Sequence, residues 1–122
     1  MSESTGSEHT LTKEDVEQYA MLYPILDALL TEFKELSKKK QDGSLNETKV
    51  KMTNRVLTKV KTLLANSPTL EFLDLLDDVK LPSNSDTVLI IAQFKAAMDQ
   101  YKKANSFWKS NGWVWNIYKD KK

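Results

Sequence analysis

Glu71, Asp74, Asp77 and Asp78 put four carboxylates within eight residues. Read as a helix, the spacing of three and four places Glu71, Asp74 and Asp78 on one face. Carboxylates grouped in this way suit a hard cation such as Mg²⁺. The competing reading is a solvated ridge on an amphipathic helix, the commoner use of such a pattern, and it is preferred. The same stretch contains "FLDLL", Phe72 to Leu76, which has the form of an acidic, leucine-rich helix laid into a partner's groove.

Other catalytic parts are scarce. His9 is the one histidine and falls in a small, polar N-terminal tail, where nothing would hold it in reach of a reacting proton. There is no cysteine, so thiol nucleophiles, thiolate metal sites and disulfides are unavailable. No two glycines lie close together, which excludes a phosphate-binding glycine loop. The expectation is therefore a protein that is not an enzyme and uses no cofactor.

Charge is distributed in blocks. Residues 1–33 carry one base and seven acids, and 34–62 nine bases and three acids. Residues 63–94 carry one base and five acids, and 95–122 seven bases and two acids. The signs alternate while the whole chain sums to +1. Within the second block, Lys51, Arg55 and Lys59 recur every four residues, a stripe able to track phosphates with steep salt dependence. A solvated face paired with the acidic first helix is the preferred alternative.

All three tryptophans fall within eight residues of "FWKSNGWVWNIYKDKK", Phe107 to Lys122. Asn111-Gly112 reads as a two-residue hairpin turn, which would set Trp108 opposite Trp115 and line one face with Trp108, Trp113, Trp115 and Ile117. The rival reading continues the last helix to Trp108 and ends it at Asn111 or Gly112. Period-two alternation after Gly112 favours the hairpin or an extended segment. Both readings make Trp108 the structural ring, and Trp113 the one that reaches outward. The rings have three uses: a lid on the core, a protein-binding surface, or a stacking platform for single-stranded nucleic acid among Lys102, Lys103, Lys109, Lys119, Lys121 and Lys122.

Helices must position these groups. Tyr19, Leu22, Tyr23, Leu26, Leu29, Leu30, Phe33 and Leu36 recur at helical steps after a Thr12/Asp15 capping pair, with a kink or break expected at Pro24. A second helix starts at Asn46 and runs to about Ala65, with Met52, Val56, Leu57, Val60, Leu63 and Leu64 on its apolar face. Ser67-Pro68 starts a short third helix through "TLEFLDLLDDV", and Ser85 or Asp86 caps a fourth with the stripe Ile90/Ile91, Phe94, Ala97/Met98, Tyr101. Alternating charge favours oppositely charged neighbours side by side.

The fold expected is mainly α: a disordered tail over 1–11, then over 12–122 a single-domain up-and-down bundle of four to five helices with a C-terminal aromatic extended segment or small β-hairpin. With no basic, apolar leader in "MSESTGSEHTLT" and no long apolar run, a cytoplasmic location away from membranes is expected. The function expected is a protein-interaction module of the adaptor, inhibitor or regulatory-subunit type. Trp113, Trp115, Tyr118, Lys109, Phe72 and Asp74 would meet a protein partner, with homo-oligomers left open. The alternative is a nucleic-acid-binding regulator using Lys51, Arg55, Lys59, Lys102 and Lys103.

Overall fold

A computed structural model describes residues 11–110 and 112–117. The chain enters its first helix, α1 (Lys13–Lys39), through the reciprocal cap expected from the sequence. Asp15 N–H donates to Thr12 Oγ1 and Thr12 N–H to Asp15 Oδ2, both at 3.0 Å. Just before it, Leu11, assigned to the tail in the sequence, is buried and joins the core; the rest of that stretch, residues 1–10, lies outside the described residues. Tyr19, Leu22, Leu26, Leu30 and Phe33 form the buried stripe of α1. The helix runs unbroken through Pro24. Pro24 and Ala20, whose carbonyl loses its donor, are both exposed, so water can serve that carbonyl.

Helix α2 (Glu47–Leu63) starts at Asn46, whose Oδ1 accepts from Lys49 N–H at 2.8 Å. It buries Val50, Thr53, Leu57, Val60 and Leu63, while Met52 turns outward. Helix α3 (Asn84–Ala104) is capped two to three residues earlier than expected, by Ser83, whose Oγ accepts from Asp86 N–H at 3.1 Å. Asn84 is the reason for the shift. Its backbone N–H donates to Gly43 O at 2.7 Å and its side-chain Nδ2 to Lys40 O at 2.9 Å, fixing the helix start against the end of α1.

Between α2 and α3 the expected helix over "TLEFLDLLDDV" does not form. Ser67 and Pro68 do restart helical turns, but only as a 3-10 helix, Pro68–Phe72. Residues 73–82 then run as irregular chain. Geometry explains this. The 17 residues of α2 rise about 25 Å, and the chain must return that distance before α3 begins. An 11-residue helix would cover about 16 Å, whereas ten residues of extended chain reach about 30 Å. Asn54 on α2 clamps the return leg: its Nδ2 donates to Leu76 O and its Oδ1 accepts from Leu76 N–H, both at 2.9 Å. Leu73 and Leu76 are buried, while Phe72, Leu75 and Val79 stay exposed.

Tyr19–Tyr101, Tyr23–Asp99 and Asp27–Lys95 contacts show that α1 and α3 run antiparallel. Their opposite charge meets in the Lys95–Asp27 pair at 2.8 Å. Exposed pairs of this kind bias the arrangement and stabilise it little. The class is therefore mainly α, with three α-helices among the described residues where four or five were expected. A short 3-10 helix and an irregular return leg stand in place of the third helix.

After α3 the chain forms β1 (Ser106–Lys109) and β2 (Gly112–Trp115), an antiparallel two-stranded hairpin. The hairpin is as expected, but its register is not. Ser106 pairs with Trp115, Phe107 with Val114, Trp108 with Trp113 and Lys109 with Gly112. The turn thus centres one residue earlier than Asn111-Gly112, and Ser110 takes a left-handed φ of 56°. Tertiary packing outweighs the turn preference. In this register Trp115 lies opposite small Ser106 beside the helix end, where its ring meets the core.

Candidate binding surface

Trp115 roots the hairpin. Its ring lies edge-on to Tyr19 with centroids 5.0 Å apart, tilted against Tyr101 at 6.4 Å, with Lys102 Nζ 5.9 Å from its centroid. Tyr19 also stacks on Tyr23 at 5.5 Å and on Tyr101 at 6.1 Å. The expected roles of two tryptophans therefore change places: Trp115 is structural, and Trp108 is not. Trp113 reaches outward, as the sequence suggested.

Burial governs the protonation of this aromatic cluster. It pushes the Tyr101 phenol up to about 12, with the Asp15 carboxylate adding to the effect. Tyr19 is raised by burial first, then by Asp99 and Tyr23. Tyr23 is raised by burial and by the hydrogen bond its hydroxyl donates to Asp99 at 2.9 Å. These phenols stay neutral across the physiological range. The Tyr101 hydroxyl is buried with no hydrogen-bond partner among the described residues.

Beyond Trp115 the hairpin is bare on both sides. Phe107, Trp108, Trp113 and Val114 are 44%, 59%, 58% and 40% exposed. Cross-strand partners point to the same face, so one face carries Ser106, Trp108, Trp113 and Trp115, and the other Phe107, Lys109 and Val114. Trp108 and Trp113 meet edge to face at 5.7 Å. Under Trp113, a shallow hollow is lined by Asp99, Lys102, Lys103 and Ser106. Sequence reading missed Phe107 and Val114 as surface residues. Their alternation with the tryptophans was the available signal, because a two-stranded hairpin leaves one face uncovered.

Other candidate residues are dispersed. Lys51, Arg55 and Lys59 share a groove with Asn54, Thr58 and Asp78, where the acidic return leg, not α1, lies beside the basic stripe. That groove is separate from the hollow holding Lys102 and Lys103. Phe72, 62% exposed, lies against Gln93, Ala96 and Gln100, on the other flank of α3 from Asp99 and Lys102. Phe72 and exposed Asp74 therefore do not join Trp113 and Lys109 in one surface. Tyr118 lies outside the described residues.

The carboxylates lose their shared face with the helix that would have made it. Glu71 sits on the 3-10 turn and Asp74 and Asp78 on irregular chain, and no group of three acids or histidines is placed to hold a metal among the described residues. Asp77 instead folds its own turn. Its carboxylate accepts from Lys80 N–H at 2.9 Å and Val79 N–H at 2.8 Å, which holds its pKa below the usual range. No described helix is long and apolar enough to cross a membrane.

Comparison with known proteins finds no match to a family model, a curated protein or a solved structure.

Proposed function

We propose that this chain is a non-enzymatic protein-interaction module of the adaptor, inhibitor or regulatory-subunit type, and that its C-terminal hairpin is the recognition surface. One observation carries the reading. Four large apolar side chains stand exposed on two short strands, while a fifth, Trp115, fixes those strands to the helical core. Aromatic side chains displayed on a rigid support are the usual anchors of protein interfaces, because burying them costs little conformational entropy. Isolated exposed apolar residues need no explanation, but here each face of one hairpin carries an exposed cross-strand pair, Trp108–Trp113 on one and Phe107–Val114 on the other.

The test compares Trp108→Ala and Trp113→Ala with the parent chain in partner capture from extract, with folding followed alongside. The expected result is an unchanged fold and lost capture. Unchanged capture by the double variant would overturn the reading. The nucleic-acid alternative is tested with generic DNA and RNA across a salt series. Affinity that falls log-linearly with salt and is lost in Lys102→Glu/Lys103→Glu would replace the protein reading.

A further inference from the structure

The hairpin leaves a hydrogen-bonding edge open, and its pattern can be worked out. In a two-residue loop the flanking pair, Lys109 and Gly112, exchanges both backbone bonds. Alternation then makes Phe107–Val114 a bonded pair, and Asn105–Asn116 the next. Asn116 N–H does donate to Asn105 O at 2.7 Å, which fixes the phase. Trp108–Trp113 and Ser106–Trp115 are consequently non-bonded pairs, whose N–H and C=O groups point away from the partner strand. On the β1 side this edge stops at Ser106, just after the end of α3. On the β2 side the Asn105–Asn116 bond carries the ladder one residue past Trp115, so Trp113 and Trp115 present their outward groups along that edge. No other strand covers either edge among the described residues.

We infer that the outer edge of β2 receives an extended peptide as a third strand, and that this peptide alternates acidic and apolar residues. The inference rests on the reading of the hairpin as a protein-binding surface and specifies its ligand. Charge selects the acidic residues: Lys102 and Lys103 both line the hollow on the Trp113 face. Asp99, the one acid of that hollow, already accepts the Tyr23 hydroxyl. The opposite face selects the apolar residues. A strand beside β2 would set its alternate side chains against Val114, with Phe107 one strand further on. Main-chain bonds supply affinity in such strand addition, and alternate side chains supply specificity.

The probe is an acetylated, amidated heptapeptide of alternating Glu and Val, titrated into the full chain and followed by amide hydrogen exchange. Expected are at least ten-fold slower exchange at the Trp113 and Trp115 amides and little change at Phe107 and Val114, which are already paired. A Lys-Val peptide should bind at least ten-fold more weakly, and Lys102→Glu/Lys103→Glu, with helix content and Trp108–Trp113 coupling checked by circular dichroism, should reverse that preference. N-methylating alternate amides of the Glu-Val peptide should abolish binding in one of the two phases. Binding that survives both N-methylated forms would overturn strand addition, as would no binding by the unmodified peptide. Oligothymidylate binding that leaves the edge amides unprotected would overturn it in favour of nucleic acid. These outcomes read the β2 edge alone. Failure of the wider protein-binding reading shows instead as partner capture that ignores Trp108 and Trp113.

Discussion

Replacing Trp115 by alanine removes the ring that joins the hairpin to the helices. A fully buried tryptophan truncated to alanine costs about 3–5 kcal/mol. Trp115 is mostly buried, so roughly two-thirds of that applies, about 2–3 kcal/mol, and its edge-on contact with Tyr19 adds about 0.5–1 kcal/mol. The expected loss is about 3–4 kcal/mol, equivalent to a melting temperature lower by roughly 10–20 °C for a domain near this size. Trp113→Ala removes an exposed cross-strand partner and should cost about 0.5–1 kcal/mol. Urea unfolding followed by far-UV circular dichroism measures both. The exciton couplet of the edge-to-face Trp108–Trp113 pair gives a second signal. It should vanish in Trp113→Ala while the helical signal holds, and weaken in Trp115→Ala as the unrooted hairpin frays. Equal destabilisation by the two substitutions, or a Trp115→Ala cost below about 0.5 kcal/mol, would refute the assignment of root and display.

Ser110→Gly should stabilise the chain by about 0.5–1 kcal/mol, because glycine takes the left-handed φ of 56° without the steric cost serine bears; urea midpoints at unchanged m-value check it. Asn54→Ala should cost about 2–3 kcal/mol by leaving the Leu76 N–H and C=O without partners, and limited proteolysis should then cut the chain over 73–82 first. Alkaline pH should unfold the protein in a defined window. Folding holds the Tyr101 and Tyr19 phenols protonated above their ordinary value near 10, so their contribution is complete below that pH and is lost as pH rises towards about 12 for Tyr101. Each such group adds at most about 1.4 kcal/mol per pH unit to the slope. Tyrosinate absorbance rising together with loss of helix checks this, and free titration at pH 10 in the folded state would contradict it.

Capping chemistry made the helix ends readable from sequence. Thr12, Asn46 and Ser67 each cap as their side chains suggest, since an N-cap is a local hydrogen bond that needs no tertiary partner. The stripes of α1 and α3 were equally plain, because a core-facing helix must repeat its apolar residues every three to four positions. What escaped was set at a distance. The return leg over 73–82 is not helical because α2 and α3 fix how far it must travel, and the periodicity of Leu70, Leu73 and Leu76 cannot express that constraint. Hairpin register escaped for the same reason. Asn-Gly favours one turn locally, but the fit of Trp115 between Tyr19 and Tyr101 favours the neighbouring one. In strands, shifting a turn by one residue re-pairs every side chain, so Trp108 exchanged a partner in the core for one in solvent.

The same register separates what the fold requires from what it displays. Holding the strands on the bundle needs Trp115, the Asn105–Asn116 backbone bond and the Ser106 hydroxyl, which donates to Lys102 O at 2.6 Å. None of these involves Trp108 or Trp113. Their mutual contact is worth at most about 1 kcal/mol, and a pair of threonines or valines would hold the same non-bonded position with less exposed apolar surface. Displaying two indoles there exposes the chain to adventitious association. Against that liability the monomer gains only the small contact between the rings, which supports the proposal that a partner covers them. The surplus of exposed aromatic surface at a position the fold could fill more cheaply is thus the physical ground for reading the hairpin as a recognition element.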